Sequence, residues 1–147
     1  MSASELNGYY FEDLSPGMTA SFGKTLTEAD VIMFAGVSGD INPSHINEEF
    51  AKTTRMKTRV VHGMLSASLI SAVLGCKLPG PGCLYVKQTS NFRAPVMIGE
   101  TVTARATVAR LDAERNFVEF ETICDVAGKT VVDGTALVWV PSRKKSK

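Results

Sequence analysis

Cysteine is scarce in this sequence and follows no known spacing. The chain has three cysteines in 147 residues, Cys76, Cys83 and Cys124, and no Cys-x-x-Cys. An odd number without that spacing excludes a disulfide-rich scaffold and gives no structural zinc motif. The cysteines stand among apolar residues, which predicts small core side chains. A reducing, cytoplasmic location is therefore expected.

The chain also lacks a strong net charge and a long apolar run. Its 16 Lys and Arg against 15 Asp and Glu leave a net charge of +1, too little to attract nucleic acid or a membrane surface. The most apolar stretch, 64–76, is shorter than the roughly 20 residues that span a bilayer. The N-terminus has no signal-peptide pattern. We expect neither a nucleic-acid partner nor a membrane partner.

What remains is the composition of one globular domain. The chain is 44% hydrophobic and 21% charged, which is ordinary for a folded protein of this length. No repeat, linker or low-complexity segment divides it. We predict a single domain over 1–147, with a core at about 14–141 and a solvated basic tail at 142–147.

The first half of the chain has helical features. A strand is predicted over 18–26, and Thr27 is a good N-cap for a helix that runs to about Val37. An irregular loop over 40–45 precedes a short helix over 47–52. The stretch 63–76 contains no charged residue, which predicts a helix covered by protein on all sides.

In the second half of the chain, apolar residues recur at every second position. Alternating apolar and polar residues predict strands over 83–93, 101–108, 118–126 and 130–140. An antiparallel sheet wrapped around an uncharged helix is a hotdog architecture, so we predict an α+β hotdog fold. The open edge of such a sheet is usually paired or covered.

Two short motifs carry the candidate chemistry. Residues 39–45, Gly-Asp-Ile-Asn-Pro-Ser-His, place Asp40 and His45 five residues apart on a segment that Pro43 keeps from being a regular helix. Seventeen residues after His45 comes His62, followed by Gly63 at the start of the apolar helix. A fixed acid–base pair and a free N–H group at a helix start are sufficient to polarise a carbonyl and move a proton.

These motifs resemble those of the MaoC-like family of (R)-specific enoyl-CoA hydratases. The resemblance lies in 35–50, 62–65 and 91–96, and extends from about Leu14 to Pro141. It implies reversible hydration of trans-2-enoyl-CoA to (R)-3-hydroxyacyl-CoA without a cofactor, a step used in polyhydroxyalkanoate supply and fatty-acid oxidation. It also implies an acyl-CoA substrate and a homodimer or higher homo-oligomer with the site near its interface.

The resemblance assigns roles residue by residue. The family's catalytic pair falls on Asp40 and His45, and the backbone of Gly63 becomes the oxyanion donor. Asn42 is expected to shape the loop, and Ser71 matches a serine that the family places near the pair. The structural alternatives are an Asx-turn for Asp40, a helix cap for His45, a tight turn for Gly63 and a bond to the preceding helical turn for Ser71.

Substrate contacts are predicted from charge and position. Four basic residues near the motifs could meet the phosphates of coenzyme A, although any single one is more typical of a solvated loop: Arg55, Lys57, Arg59 and Arg93. Leu74 and the last strand are predicted to close the acyl pocket. The spacing of His45 and His62 is not that of metal ligands, so no metal site is predicted.

Three other functions are open at this stage. A hotdog thioesterase would direct water at the thioester carbonyl and release coenzyme A. A dehydratase acting on acyl carrier protein would dock its acidic partner on the basic segment 55–59. A non-catalytic acyl-binding or assembly module would keep its affinity and role when Asp40 is replaced by Asn.

Overall fold

The structure is a computed structural model that describes residues 6–144. A 3-10 helix, Phe11–Asp13, precedes strand β1, Thr19–Thr25. Four helices follow, and then four strands complete the chain. The helices are α1, Glu28–Ser38; α2, Pro43–Ile46; α3, Glu48–Ala51; and α4, Gly63–Cys76. The later strands are β2, Leu84–Phe92; β3, Thr101–Asp112; β4, Phe117–Val126; and β5, Lys129–Trp139.

The five strands form one antiparallel sheet in the order β1-β3-β4-β5-β2, and α4 packs against four of them. The core lies between α4 and the sheet, where Leu69, Ile70 and Val73 meet strand residues such as Val118 and Phe120. The predicted α+β hotdog architecture is confirmed. No helix within 6–144 is long and apolar enough to cross a membrane.

Helix α1 begins as the sequence predicts. The hydroxyl of Thr27 accepts a hydrogen bond from the Asp30 N–H, and the Asp30 carboxylate accepts one from the Thr27 N–H at 2.8 Å. Gly39 ends the helix with a left-handed backbone, φ 77°, a conformation that glycine adopts without steric cost. The chain therefore leaves α1 in a sharp turn that carries Asp40.

Two predictions about the helices need correction. Pro43 does not keep the whole motif irregular, because it is the first residue of α2, the one helical position where proline is tolerated. Helix α4 is not covered on all sides in the single chain. One face is exposed, and it consists of Met64, Ser68, Ser71 and Gly75. Three of these residues are small, and the fourth, Met64, exposes 62% of its surface.

Strand β3 is longer than its alternation suggests. The register with β4 shifts between Val108 and Arg110, and pairing continues to Asp112. A bulge of this kind turns later side chains to the opposite face. The apolar alternation therefore stops at Val108 although the strand does not.

Candidate active site

The two motifs meet at the start of α4. Asp40 lies in the turn after α1, His45 lies on α2, and His62 is the N-cap of α4. Asn42 caps α2, since its side-chain oxygen accepts a hydrogen bond from the Ser44 N–H at 3.0 Å. The Asn42 side chain therefore bonds the backbone of its own segment, which is the contact predicted for it.

Asp40 and His45 face each other across a short gap. Oδ2 of Asp40 and Nε2 of His45 are 3.9 Å apart, too far for a direct hydrogen bond. The other carboxylate oxygen, Oδ1, accepts from the Asn42 N–H at 3.2 Å in an Asx-turn. The Asx-turn and the pairing with His45 thus coexist, because each uses a different oxygen.

The hydrogen bond at the far side of the His45 ring fixes its tautomer. Nδ1 of His45 lies 2.7 Å from the carbonyl oxygen of Val60. A carbonyl only accepts, so Nδ1 carries the proton, and in the neutral ring Nε2 holds a free lone pair. That lone pair is on the nitrogen that lies nearest Asp40. Nε2 of His45 is therefore the nitrogen that can accept a proton, and it faces Asp40.

His62 has a larger part in this site than its sequence context suggests. Its side chain is buried, and its Nε2 lies 2.9 Å from the carbonyl oxygen of Asp40. The ring lies against that of His45, with centroids 3.9 Å apart and planes at 30°. Phe34 packs beside it at a centroid distance of 5.0 Å. The only available signal was the position of His62 next to Gly63.

Gly63 is the first residue of α4, where the backbone N–H has no partner within the helix. The positive end of the helix dipole adds to that donor. A Cβ on Gly63 would lie 3.0 Å from the ring of Phe92. Glycine therefore keeps the backbone close to the Phe92 ring, and the geometry is compatible with an oxyanion donor.

A cleft of about 320 Å³ joins His45 to Gly63, and we refer to it as the His45 cleft. Its walls are mostly apolar, with contributions from Val60, Phe92, Ala94, Pro95, Val96 and Val132. Ser66, buried and one turn after Gly63, also lines it. An apolar cleft with a few polar groups at one end is the usual form of a small-molecule site.

Arg93 is the one predicted phosphate contact that lines the His45 cleft. Its guanidinium donates to both carboxylate oxygens of Asp133, at 2.7 and 3.0 Å. These hydrogen bonds, with one from Asn91, hold the pKa of Asp133 below its usual value. Arg93 is thus held at the cleft while more than half of its side chain stays exposed.

The other predicted substrate contacts lie elsewhere. Arg55 and Lys57 are exposed and do not line the His45 cleft, and Arg59 is bonded to Glu28 and Glu48. Leu74 is fully buried in the core and does not line the cleft. This placement gives no support to a role for Leu74 in closing the acyl pocket.

Ser71 lies on the exposed face of α4, and the serine that lines the cleft is Ser66. Helical spacing explains the difference, because positions 66 and 71 are five residues apart and their side chains therefore point in directions about 140° apart around the helix axis. In a single chain Ser71 therefore does not share the His45 cleft, contrary to the position expected for it.

The fold brings together three groups that could bind a metal, contrary to what their spacing suggests. Ligand atoms of Asp40, His45 and His62 all lie within 4.8 Å of one another. A metal binds along the lone pair in the plane of each imidazole ring, at about 2.0–2.1 Å. One nitrogen of each ring already lies at hydrogen-bond distance from a carbonyl oxygen, so only the other nitrogen of each ring could bind an ion.

Comparisons with known proteins identify the family of this chain. The family described as MaoC like domain matches residues 13–131. The chain is 57% identical over 143 residues to an (R)-specific enoyl-CoA hydratase of Rhodospirillum rubrum, covering 97% of this chain and 99% of the relative. It is 47% identical to a 3-hydroxybutyryl-CoA dehydratase of Methylorubrum extorquens, covering 97% and 90%.

A solved structure supports the same assignment. The R-hydratase PhaJ1 of Pseudomonas aeruginosa superposes with a TM-score of 0.88 at 36% identity, covering 97% of this chain and 94% of that one. The matched region includes both motifs and the strands around them. On this agreement of sequence and fold, the chain belongs to the MaoC-like domain family.

Proposed function

We propose that this protein is an enoyl-CoA hydratase, a hydro-lyase that adds water reversibly to trans-2-enoyl-CoA to give (R)-3-hydroxyacyl-CoA. One observation carries the proposal. The unprotonated Nε2 of His45 lies 3.9 Å from the carboxylate of Asp40, and His45 lines one cleft together with Gly63, the first residue of α4. The names of the relatives support the substrate class and the stereochemistry.

The gap between the two acceptors fits one water molecule. A water oxygen can lie at an ordinary hydrogen-bond distance of about 2.8 Å from both acceptors. Such a water donates one hydrogen to Nε2 of His45 and the other to Oδ2 of Asp40. Both lone pairs of its oxygen are then left for a reacting carbon.

The chemistry proceeds through charge on the thioester oxygen. Nε2 of His45 takes a proton from the water as the water oxygen bonds to the carbon β to the carbonyl. The electrons of the double bond move toward the thioester oxygen, where the Gly63 N–H stabilises the enolate-like charge. A proton returns from the Asp40–His45 pair to the α carbon, so that water is added and the pair is restored. The Asp40 carboxylate favours the transient imidazolium.

The His45 cleft receives the acyl chain, and Arg93 binds the phosphate-bearing part of coenzyme A. The apolar walls favour an alkyl group over a polar one. Arg93 keeps its guanidinium planar and partly exposed while it is bonded to Asp133, which leaves further N–H groups for a phosphate oxygen. The reaction requires no metal and no cofactor, and the cytoplasm is its proposed location.

The active unit is a homodimer. Strand β2 is at an open edge of the sheet, with Leu84, Tyr85 and Val86 exposed. An apolar open edge is a surface that a second copy covers by pairing strands. The exposed face of α4, which includes Ser71, offers a second contact surface of small residues. Size-exclusion chromatography with light scattering tests this, since a monomer at assay concentration would exclude the dimer.

The proposal is tested by mixing the purified protein with crotonyl-CoA. Loss of the enoyl-thioester absorbance with formation of (R)-3-hydroxybutyryl-CoA is the expected result. Release of free coenzyme A would instead identify a thioesterase. Absence of both reactions, with hydration of the crotonyl carrier-protein thioester, would identify a carrier-dependent dehydratase.

A further inference from the structure

We propose that His62 is a positioning residue of the hydration site, which fixes the main chain of Asp40 through its Nε2–H group. The inference rests on the proposed function, because it takes Asp40 and His45 as the groups that activate water. His62 itself does not contact the substrate or the reacting water in this account.

The turn that carries Asp40 is otherwise held only by its immediate neighbours. The Asp40 N–H donates to the Ser38 hydroxyl at 3.1 Å, and the Ile41 N–H donates to the Gly39 carbonyl at 3.0 Å. Within the described residues, the remaining hydrogen bonds of 39–42 also stay inside the segment 35–45. The bond from His62 to the Asp40 carbonyl is the exception, because it spans 22 residues.

This hydrogen bond joins the surface turn that carries Asp40 to the buried helix α4. Half of the Asp40 side chain is exposed, and turns on a surface are held less firmly than core helices. His62 is 1% exposed and is the N-cap of α4, the central helix of the core. The His62 ring therefore links the Asp40 turn to α4, and this link holds the Asp40 carboxylate in position relative to His45.

The same ring also limits the motion of His45. The two imidazoles have centroids 3.9 Å apart, and Nδ1 of His45 is bonded in its own plane to the Val60 carbonyl. The in-plane bond sets the rotation of the His45 ring, and the contact with His62 blocks tilting towards α4. Both Asp40 and His45 thus contact His62, Asp40 through its main-chain carbonyl and His45 through its ring.

The hydrogen bonding of His62 excludes it as a proton donor to the reaction. A carbonyl only accepts, so Nε2 carries the proton and Nδ1 is unprotonated in the neutral ring. Nδ1 is buried without a hydrogen-bond partner in the described part of the chain. His62 therefore acts through position.

Three substitutions separate the hydrogen bond from the bulk of the ring. In His62→Gln the amide nitrogen lies where Nε2 was and can still donate to the Asp40 carbonyl. His62→Asn has the same amide one carbon shorter and cannot reach, so it is the matched control. His62→Phe keeps an aromatic ring beside His45 and Phe34 but has no donor.

The expected result is a loss of kcat that follows the hydrogen bond. His62→Phe and His62→Asn should lose about tenfold to a hundredfold in kcat on crotonyl-CoA with little change in KM, since small misplacements of catalytic groups cost rates of this order. His62→Gln should stay within about threefold of wild type by the same reasoning. Equal losses in His62→Gln and His62→Asn, or full activity in His62→Phe, would overturn the proposal.

A second measurement uses the unchanged protein. The chain contains two histidines, so selective isotope labelling gives two imidazole spin systems whose nitrogen shifts report the tautomers. We expect the proton on Nε2 of His62 and on Nδ1 of His45. A proton on Nδ1 of His62 would overturn the inference whether or not the variants fold. Failure of wild type to hydrate crotonyl-CoA, with the expected tautomers present, would instead count against the proposed function.

Discussion

The guanidinium of Arg59 donates one hydrogen bond to each carboxylate oxygen of Glu28, both at 2.7 Å. Its Nε and its backbone N–H also donate to Glu48, at 3.3 and 3.2 Å. Arg59 thereby joins the first residues of α1 and α3 to the segment that leads into α4. The Arg59 guanidinium is therefore engaged by these carboxylates and not by coenzyme A.

Replacing Arg59 with Met should reduce stability in a way that depends on pH. Side-chain hydrogen bonds from Arg59 hold the pKa of Glu28 below the usual value of 4.5, and the variant loses them. The pKa of Glu48 is lowered first by the backbone N–H of Arg59, which the substitution leaves in place, so Glu28 accounts for most of the expected effect. A lowered carboxyl pKa contributes stability above the unfolded value, and that contribution is lost as the pH falls through the folded value. The difference in Tm between wild type and Arg59→Met should therefore be present at pH 7 and shrink below pH 4.5.

Thermal melts at several pH values check this prediction. Arg55→Met is the matched control, because Arg55 is exposed and should leave Tm nearly unchanged at every pH. A Tm difference for Arg59→Met that is as large at pH 3 as at pH 7 would contradict the assignment.

Gly63→Ala should lower activity through Phe92. The new Cβ would lie 3.0 Å from two carbons of the Phe92 ring, so the ring must shift by a few tenths of an ångström within the cleft wall. We expect kcat/KM on crotonyl-CoA to fall by about tenfold, because geometry in the site changes. The double variant with Phe92→Leu should recover part of this loss, and a strictly additive double variant would show that Phe92 is not the cause.

Arg93→Gln should raise KM for coenzyme A thioesters. Arg93 lines the His45 cleft, and removing its charge takes away a phosphate contact while leaving the acyl site intact. A rise of about tenfold for crotonyl-CoA is expected, with little change for crotonyl-pantetheine, which lacks the nucleotide phosphates. Arg110→Gln is the control, since Arg110 bonds Glu119 on another part of the sheet. Equal effects on both substrates would contradict the role of Arg93.

Leu74→Ala should affect stability and leave acyl preference unchanged. Leu74 is 0% exposed and packs in the core between α4 and the sheet. Truncation of a buried leucine costs about 2–5 kcal/mol in the free energy of unfolding. Denaturant melts measure this loss, and relative rates on four- to eight-carbon enoyl-CoA substrates test the preference. A changed preference would restore Leu74 to the acyl pocket.

Regular elements could be predicted from the sequence because local patterns determine them. The bounds of α4 match the predicted 63–76, and the capping of α1 by Thr27 was readable from the Thr-x-x-Asp pattern. Strand ends differ by a few residues where a bulge changes the alternation, as after Val108. The structure places Asp40 3.9 Å from His45, and His45 lines one cleft with Gly63, while the roles that the resemblance implied for them stay predictions.

Other features depend on contacts between distant residues and were not readable. The pairing of Arg59 with Glu28 and Glu48 joins three separate elements, and no spacing rule connects them. Which serine of α4 lines the cleft depends on the rotation of the helix, which selects Ser66. The contact of His62 with the Asp40 carbonyl uses a backbone atom, which carries no signal in a sequence.

The most direct test of the account compares Asp40→Asn, His45→Gln and the double variant in the hydration of crotonyl-CoA. If the two residues hold and activate one water, each single change should lower kcat by about a thousandfold or more, with KM and Tm near wild type. The double variant should be hardly worse than either single one, because residues that act as a unit have non-additive effects. Retention of most of the activity in either single variant would contradict a water held by Asp40 and His45.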